Sequence, residues 1–167
     1  TSDGEIKAHR VVLAIGRRGT PRKLGVPGED GSNVAYRLLE PENYADTKCL
    51  VVGGGDAAVE AAMSLGDAGA TAVVLSYRKD AFGRIKPKNQ ERLEASVAEG
   101  KVELVMSSTA KEIRPDGVTL DVSGEVRELE NDYVFVFAGG ILPTKFLAAS
   151  GVEVRSYKGD EFAPANA

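Results

Sequence analysis

A chain of 167 residues, 43% apolar and 28% charged, has the size and balance of one globular domain, or of one domain with pieces of a second. Its formal charge of −4 argues against a nucleic-acid partner, which normally calls for a net basic surface, and no apolar run approaches the roughly 18–20 residues that span a bilayer. Cys49 is the only cysteine, which excludes an internal disulfide and a cysteine-rich zinc site; with no secretory-type start, a cytoplasmic setting and no membrane partner are the expectation.

Residues 10–15 form a dense apolar run, predicted as a strand ended by Gly16. The stretch 17–32 is rich in glycine, proline and charge, and reads as a loop. A short extended piece at 33–37 leads through Pro41 to a polar connector, 42–47, expected to act as a hinge. Residues 48–52 (KCLVV) are short, branched and flanked by polar residues and glycine, as a buried parallel strand should be. A helix is predicted over 56–65, with Gly66 and Gly69 as its stop. A second buried strand follows at 72–75. A basic loop, 78–86, runs into a helix opened by Pro87, whose fixed φ suits the first helical turn, and ended by Gly100.

Beyond Gly100 the period changes from helical to alternating. Val102, Leu104 and Met106 alternate with polar residues, as do Val118, Leu120 and Val122, with turn signals at Pro115-Asp116-Gly117 and Ser123-Gly124. Four antiparallel strands are predicted, at 101–106, 109–114, 117–122 and 125–130. Residues 133–137 return to a buried strand, ended by Gly139-Gly140, and 143–149 make a short helix at most. Both ends of the chain read as cut from something larger.

The chemistry concentrates at Gly53, Gly54, Gly55, Asp56, Ala57 and Ala58, which fit G-x-G-x-x-A between a predicted strand and a predicted helix. Gly53 permits the tight turn; Gly55 lets the backbone approach a pyrophosphate; Ala58 lets the helix pack closely on the sheet. The helix N-terminus then offers unpaired N–H groups to the phosphates. The competing reading is a plain glycine turn in another α/β fold. A phosphate facing Asp56 would be repelled, so Asp56 is expected to cap the helix. Glu60 reads either as a group near the nicotinamide or as an exposed helix carboxylate.

The end of the second strand separates NAD from NADP. An acidic residue there would accept the ribose 2′-OH of NAD. Here Ser76, Tyr77, Arg78 and Lys79 come first, with Arg84, Lys86 and Lys88 close behind. Arginine matches the geometry of a phosphate, so NADP is favoured, with NAD kept open; the plainer alternative is a solvated basic surface. Ser76 could bond either ribose. Cys49 is expected to act as a small hydrophobe, and His9, the only histidine, has no partner within reach by sequence.

These motifs resemble the thioredoxin-reductase-like FAD-dependent pyridine nucleotide-disulfide oxidoreductases. Val12-Leu13-Ala14-Ile15-Gly16 and the Pro27-Gly28-Glu29 loop are similar to the segment leaving that family's FAD domain. GGGDAAVE, from Gly53 to Glu60, is similar to its NADPH fingerprint, and Tyr77-Arg78-Lys79-Asp80-Ala81-Phe82 to its 2′-phosphate loop. Val134 through Ala138, Gly139 and Gly140, then Pro143-Thr144, are similar to the return into the FAD domain. The resemblance implies an α/β, Rossmann-like FAD/NAD(P)-binding fold, a parallel sheet with an added antiparallel β-meander. It implies a partial FAD-domain segment and hinge at 1–44, a NAD(P)-binding domain at 45–138, and a partial return segment and tail at 139–167.

Three family features are missing: the first FAD-binding glycine motif, a matching strand before Gly159-Asp160, and the redox Cys-x-x-Cys. The resemblance therefore implies an NADPH domain that hands hydride to FAD in a parent enzyme, with FAD not expected in this chain alone and the isolated chain inactive. Its partners would be the nicotinamide dinucleotide, the FAD-domain remainder of the parent and an electron-acceptor protein or small acceptor. Two rivals stay open: a stand-alone, non-enzymatic NAD(P)-sensing module, and a nucleotide-binding domain of methyltransferase type, which predicts an acidic residue where Ser76 stands.

Overall fold

The computed structural model describes residues 4, 5, 7–12, 21–141 and 143–153. They fall into two units, one made of 1–20 with 140–167 and the other of Pro21–Gly139.

In the larger unit, β1 (Val34–Ala35), β2 (Lys48–Val52), β3 (Ala72–Ser76), β4 (Glu103–Val105) and β8 (Tyr133–Val136) make one five-stranded sheet. Its order is β1-β8-β2-β3-β4 and all its pairings are parallel. α1 (Asp56–Asp67) connects β2 to β3, and α2 (Pro87–Ala98) connects β3 to β4. The strands β5 (Ser108–Arg114), β6 (Gly117–Val122) and β7 (Glu125–Glu130) form a separate antiparallel sheet in sequential order.

Alternation along the strands builds three layers. Cys49, Val51, Val73, Leu75 and Phe135 share a cluster with α1 and with Leu93 of α2. Leu50, Val74, Val134 and Val136 point to the opposite face and pack with Ile113, Val118 and Leu120 of the meander. The parallel sheet is thus covered on both faces, which is why its strands read as continuous apolar runs. Each wholly buried Val, Leu or Phe here contributes about 1.5–3 kcal/mol of transfer free energy. In β5 the buried positions step from Ser108 and Ala110 to Ile113, because the register against β6 shifts between Ala110 and Glu112. This β-bulge returns the inward side chains to the core.

Several expectations are corrected. The first of the four predicted antiparallel strands belongs instead to the parallel sheet, where β4 pairs with β3 after the α2 crossover; the meander has three strands. Helix α1 runs through Gly66, which does not stop it. Gly66 lies where a Cβ would come within 3.1 Å of Lys101, so its smallness serves close packing, and the left-handed Gly69 (φ 92°) follows the helix end. The connector contains a 3-10 helix, Pro41–Tyr44, whose Tyr44 ring meets Phe135 edge-on at 4.9 Å. The predicted strand at 10–15 is not formed at 10–12, and 13–15 lie outside the described residues.

The smaller unit contains the helix α3 (Thr144–Ala149), with Phe146 exposed. The segment around Gly159-Asp160 lies outside the described residues.

Candidate functional site

Strands β2, β3 and β8 run parallel, so the segments that follow them emerge at one edge of the sheet: the glycine turn, the basic loop and 137–139. From β2 the chain crosses to β3 and then β4 on one side, while β8 lies on the other. The order reverses between β2 and β8, and open α/β sheets bind ligands at the carboxyl ends of strands at such a switch point. The glycine turn begins there.

Its three glycines have three different surroundings. A Cβ on Gly53 would lie 2.7 Å from the Phe137 carbonyl oxygen and 2.9 Å from Ala58 Cβ, so Gly53 and Ala58 let the turn close against β8 and α1. A Cβ on Gly54 would collide with the Tyr77 ring. Around Gly55 there is nothing within 4 Å of the Cβ position. Gly55 is also the N-cap of α1, and its carbonyl accepts from the amides of Ala58 and Val59. The amides of Gly55, Asp56 and Ala57 have no acceptor among the described residues. An open backbone with bare amides at a helix N-terminus attracts an anion.

Tyr77 follows β3 and stacks on Phe82, the ring centroids 5.4 Å apart and the planes 6° from parallel. Its ring therefore lies between Gly54 and Phe82 and ties the basic loop to the glycine turn. Arg78, Lys79, Arg84, Lys86 and Lys88 are all exposed, and none has an ion-pair partner among the described residues. The cations of the meander differ: Lys111, Arg114 and Arg127 each face a carboxylate.

The other expected site residues have partners within the chain or lie exposed. Ser76 is wholly buried, and its Oγ lies 2.7 Å from the Oγ of Ser108, which donates to the Val105 carbonyl oxygen at 2.7 Å. Its hydroxyl does not reach the surface to meet a ribose. Asp56 does not cap its own helix. Its Oδ1 accepts the Lys86 amide at 2.9 Å and Asn89 Nδ2 at 2.7 Å, at the start of α2. These two donors hold its carboxyl below the usual carboxylate range. Glu60 is exposed, and its Oε1 accepts from the same Asn89 Nδ2 at 2.8 Å. Ala138 packs against the meander cluster and Gly139, left-handed at φ 91°, accepts from the Arg22 amide at 2.9 Å; Gly140 begins the smaller unit. His9 is exposed. Cys49 is buried, and that burial pushes its thiol up, against a smaller lowering by Thr47.

Asn89 was not singled out in the sequence. The signal was present: Asn89 stands four residues before the buried Leu93, on the face of α2 that packs inward, where a polar side chain needs a partner. The site is an open shelf. An apolar concavity of about 300 Å³ lies elsewhere, between α2 and β4, lined by Phe82, Leu93, Val97 and Leu104.

The three layers, the switch point and the open glycine turn together define a Rossmann-like FAD/NAD(P)-binding fold. The pyridine nucleotide-disulphide oxidoreductase family matches residues 1–164, and the chain belongs to that family. A ferredoxin–NADP reductase of Ignicoccus hospitalis is 39% identical over 112 residues, covering 67% of this chain and 35% of its own length. A thioredoxin reductase of Bacillus subtilis is 34% identical over 147 residues, covering 81% of this chain and 44% of its own. Among solved structures, the bacillithiol disulfide reductase Bdr of Bacillus cereus superposes with a TM-score of 0.76 at 33% identity, over 81% of this chain and 42% of that one. The chain spans less than half the length of these relatives. Among the described residues no helix is long and apolar enough to cross a membrane, and no group of three or more His, Cys, Asp or Glu could hold a metal ion.

Proposed function

We propose that this chain is the NADPH-binding part of a flavin-dependent oxidoreductase, delivering hydride from NADPH to FAD in its parent. The observation that carries this reading is the open Gly55 turn, with bare amides at the head of α1, and the five exposed cations of the following basic segment, which form no salt bridge among the described residues. The amides of Gly55, Asp56 and Ala57 bind the pyrophosphate. Arg78 and Lys79, with Arg84 near them, hold the 2′-phosphate, with Arg78 supplying the bidentate geometry. When bound, the nicotinamide supplies a hydride, and that chemistry belongs to the cofactor; the protein supplies position and charge.

No flavin contact is assigned to this chain, because Leu13 to Gly16 and Gly159-Asp160 lie outside the described residues. Cys49, the only cysteine, is buried with a raised thiol pKa, so it gives no dithiol step. The acceptor beyond the flavin in the parent is proposed to be another protein or a small molecule. The relatives named for ferredoxin and for thioredoxin are consistent with either kind of protein acceptor.

Calorimetric titration with NADPH and NADH tests the reading. The expected result is NADPH binding tighter by about tenfold or more, a difference that Arg78→Ala largely abolishes, as for one charge-assisted contact. Equal affinities in the wild type would end the NADP assignment.

A further inference from the structure

The basic loop is joined to the glycine turn at both of its ends. At the start, the Tyr77 ring fills the space beside Gly54 and stacks on Phe82. At the end, the Lys86 amide donates to Asp56 Oδ1, and Asn89 holds that carboxylate from the first turn of α2. Asn89 is only 5% exposed, and its Nδ2 donates to both Asp56 and Glu60, bridging α2 to α1. The N-termini of the two helices therefore meet at one carboxylate. Between these two anchors run Arg78, Lys79 and Arg84, which have no ion pair of their own among the described residues to hold them.

We propose that Asn89 is a positioning residue for cofactor choice: through Asp56 and the Lys86 amide it fixes the basic loop at the distance from the glycine turn that a 2′-phosphate requires. The inference rests on the nucleotide-binding reading above. Asn89 touches no cofactor. It acts on where the cations stand, and so on the 2′-phosphate alone. The pyrophosphate is held by the amides of the glycine turn, which stay in place when Asn89 is lost. A residue serving stability alone would weaken both nucleotides together.

The experiment is calorimetric titration of the chain with NADP⁺ and with NAD⁺, in wild type and Asn89→Leu. Asn89→Leu keeps a γ-branched side chain of four heavy atoms and removes both donors. It should weaken NADP⁺ about tenfold, the scale of one charge-assisted phosphate contact, and change NAD⁺ by less than about twofold. Amide hydrogen exchange without nucleotide supplies a second readout: 78–86 should exchange faster in Asn89→Leu, with β2 and β3 unchanged. If Asn89→Leu does not fold, Asn89→Ala takes its place in both measurements, with the same result expected.

An unchanged ratio, or an equal loss for both nucleotides, overturns the positioning role and leaves the nucleotide site standing. A wild-type chain that binds neither nucleotide overturns the functional reading, and this inference with it.

Discussion

Substituting the three consecutive glycines one at a time separates packing from binding. Gly55 has an ordinary extended backbone (φ −111°, ψ 174°) and open space where a Cβ would go. Reducing the freedom of the unfolded chain by Gly55→Ala stabilises by about 0.4–1 kcal/mol, while losing glycine at an N-cap opposes this by a similar amount. Gly55→Val should likewise fold, with its melting temperature within a few degrees of wild type. Its branched side chain, however, fills the approach to the bare amides. Losing two hydrogen bonds to charged oxygens, at about 1.5–3 kcal/mol each, removes roughly 3–6 kcal/mol of binding, a weakening of about 10²–10⁴-fold. Gly53→Ala behaves oppositely. Its Cβ meets the Phe137 carbonyl oxygen at 2.7 Å, and overpacking of this kind destabilises by about 1–3 kcal/mol. Gly54→Ala must push Tyr77 off Phe82 and is destabilising as well. Thermal melts and calorimetry on the three variants check the set. A folded Gly55→Val that binds NADPH with wild-type affinity would refute the reasoning outright.

Two further outcomes follow from buried polar groups. Ser108→Ala strands the buried Ser76 hydroxyl and should destabilise by about 1–3 kcal/mol; Ser76→Ala leaves Ser108 bonded to the Val105 carbonyl and should lose less. Ser76→Ala should also leave both nucleotide affinities unchanged, and a drop in either would restore Ser76 to the cofactor site. Glu29 is 5% exposed; burial pushes its carboxyl up, but the Leu24 and Gly25 amides and the Tyr36 hydroxyl outweigh it, so its pKa falls below the ordinary 4.5. A lowered folded-state pKa stabilises the fold above the unfolded value, and that contribution is lost as pH falls through the folded value. The melting-temperature gap between wild type and Glu29→Gln should therefore be full at neutral pH and shrink below about pH 4.5; a gap independent of pH would contradict it.

The sheet was legible wherever one strand's own pattern decides its fate. Lys48–Val52 and Pro87–Ala98 have the predicted bounds or nearly so, because a branched apolar run before glycines and a proline at the first helical turn are local signals. The strand at Glu103–Val105 was legible as a strand but not as a member of the parallel sheet. Its alternation suits any half-buried edge, and only the helix before it carries the chain back parallel to β3. The glycine turn was legible as a turn, yet Gly54 owes its smallness to the Tyr77 ring, a contact the motif does not encode.

The site residues divide along the same line. Arg78 and Lys79 are exposed in the segment that follows β3. The partners of Ser76 and Asp56 were not legible because they are remote: Ser108 and Lys86 lie 32 and 30 residues further along the chain. A short polar side chain at a strand end serves a ligand or a buried pair equally well from sequence. A carboxylate in the first turn of a helix reads as a cap for that helix, and only the folded chain brings a second N-terminus to it.

The meander also has a part in making the shelf. After β4 the chain stands at one edge of the parallel sheet, and β8 must form on the far side of β2, past β3. The three antiparallel strands lie between these points in sequence and cover the sheet face away from the helices, packing Val118 and Leu120 with Val134 and Val136. That cluster fixes the depth of β8, and β8 leads directly to the Phe137 carbonyl against which Gly53 turns. The reversal of strand order, and with it the place where the bare amides of α1 face outward, thus depends on a core that contains no residue of the glycine motif. The amides supply the affinity for an anion, and the packing between the two sheets determines where that affinity is displayed.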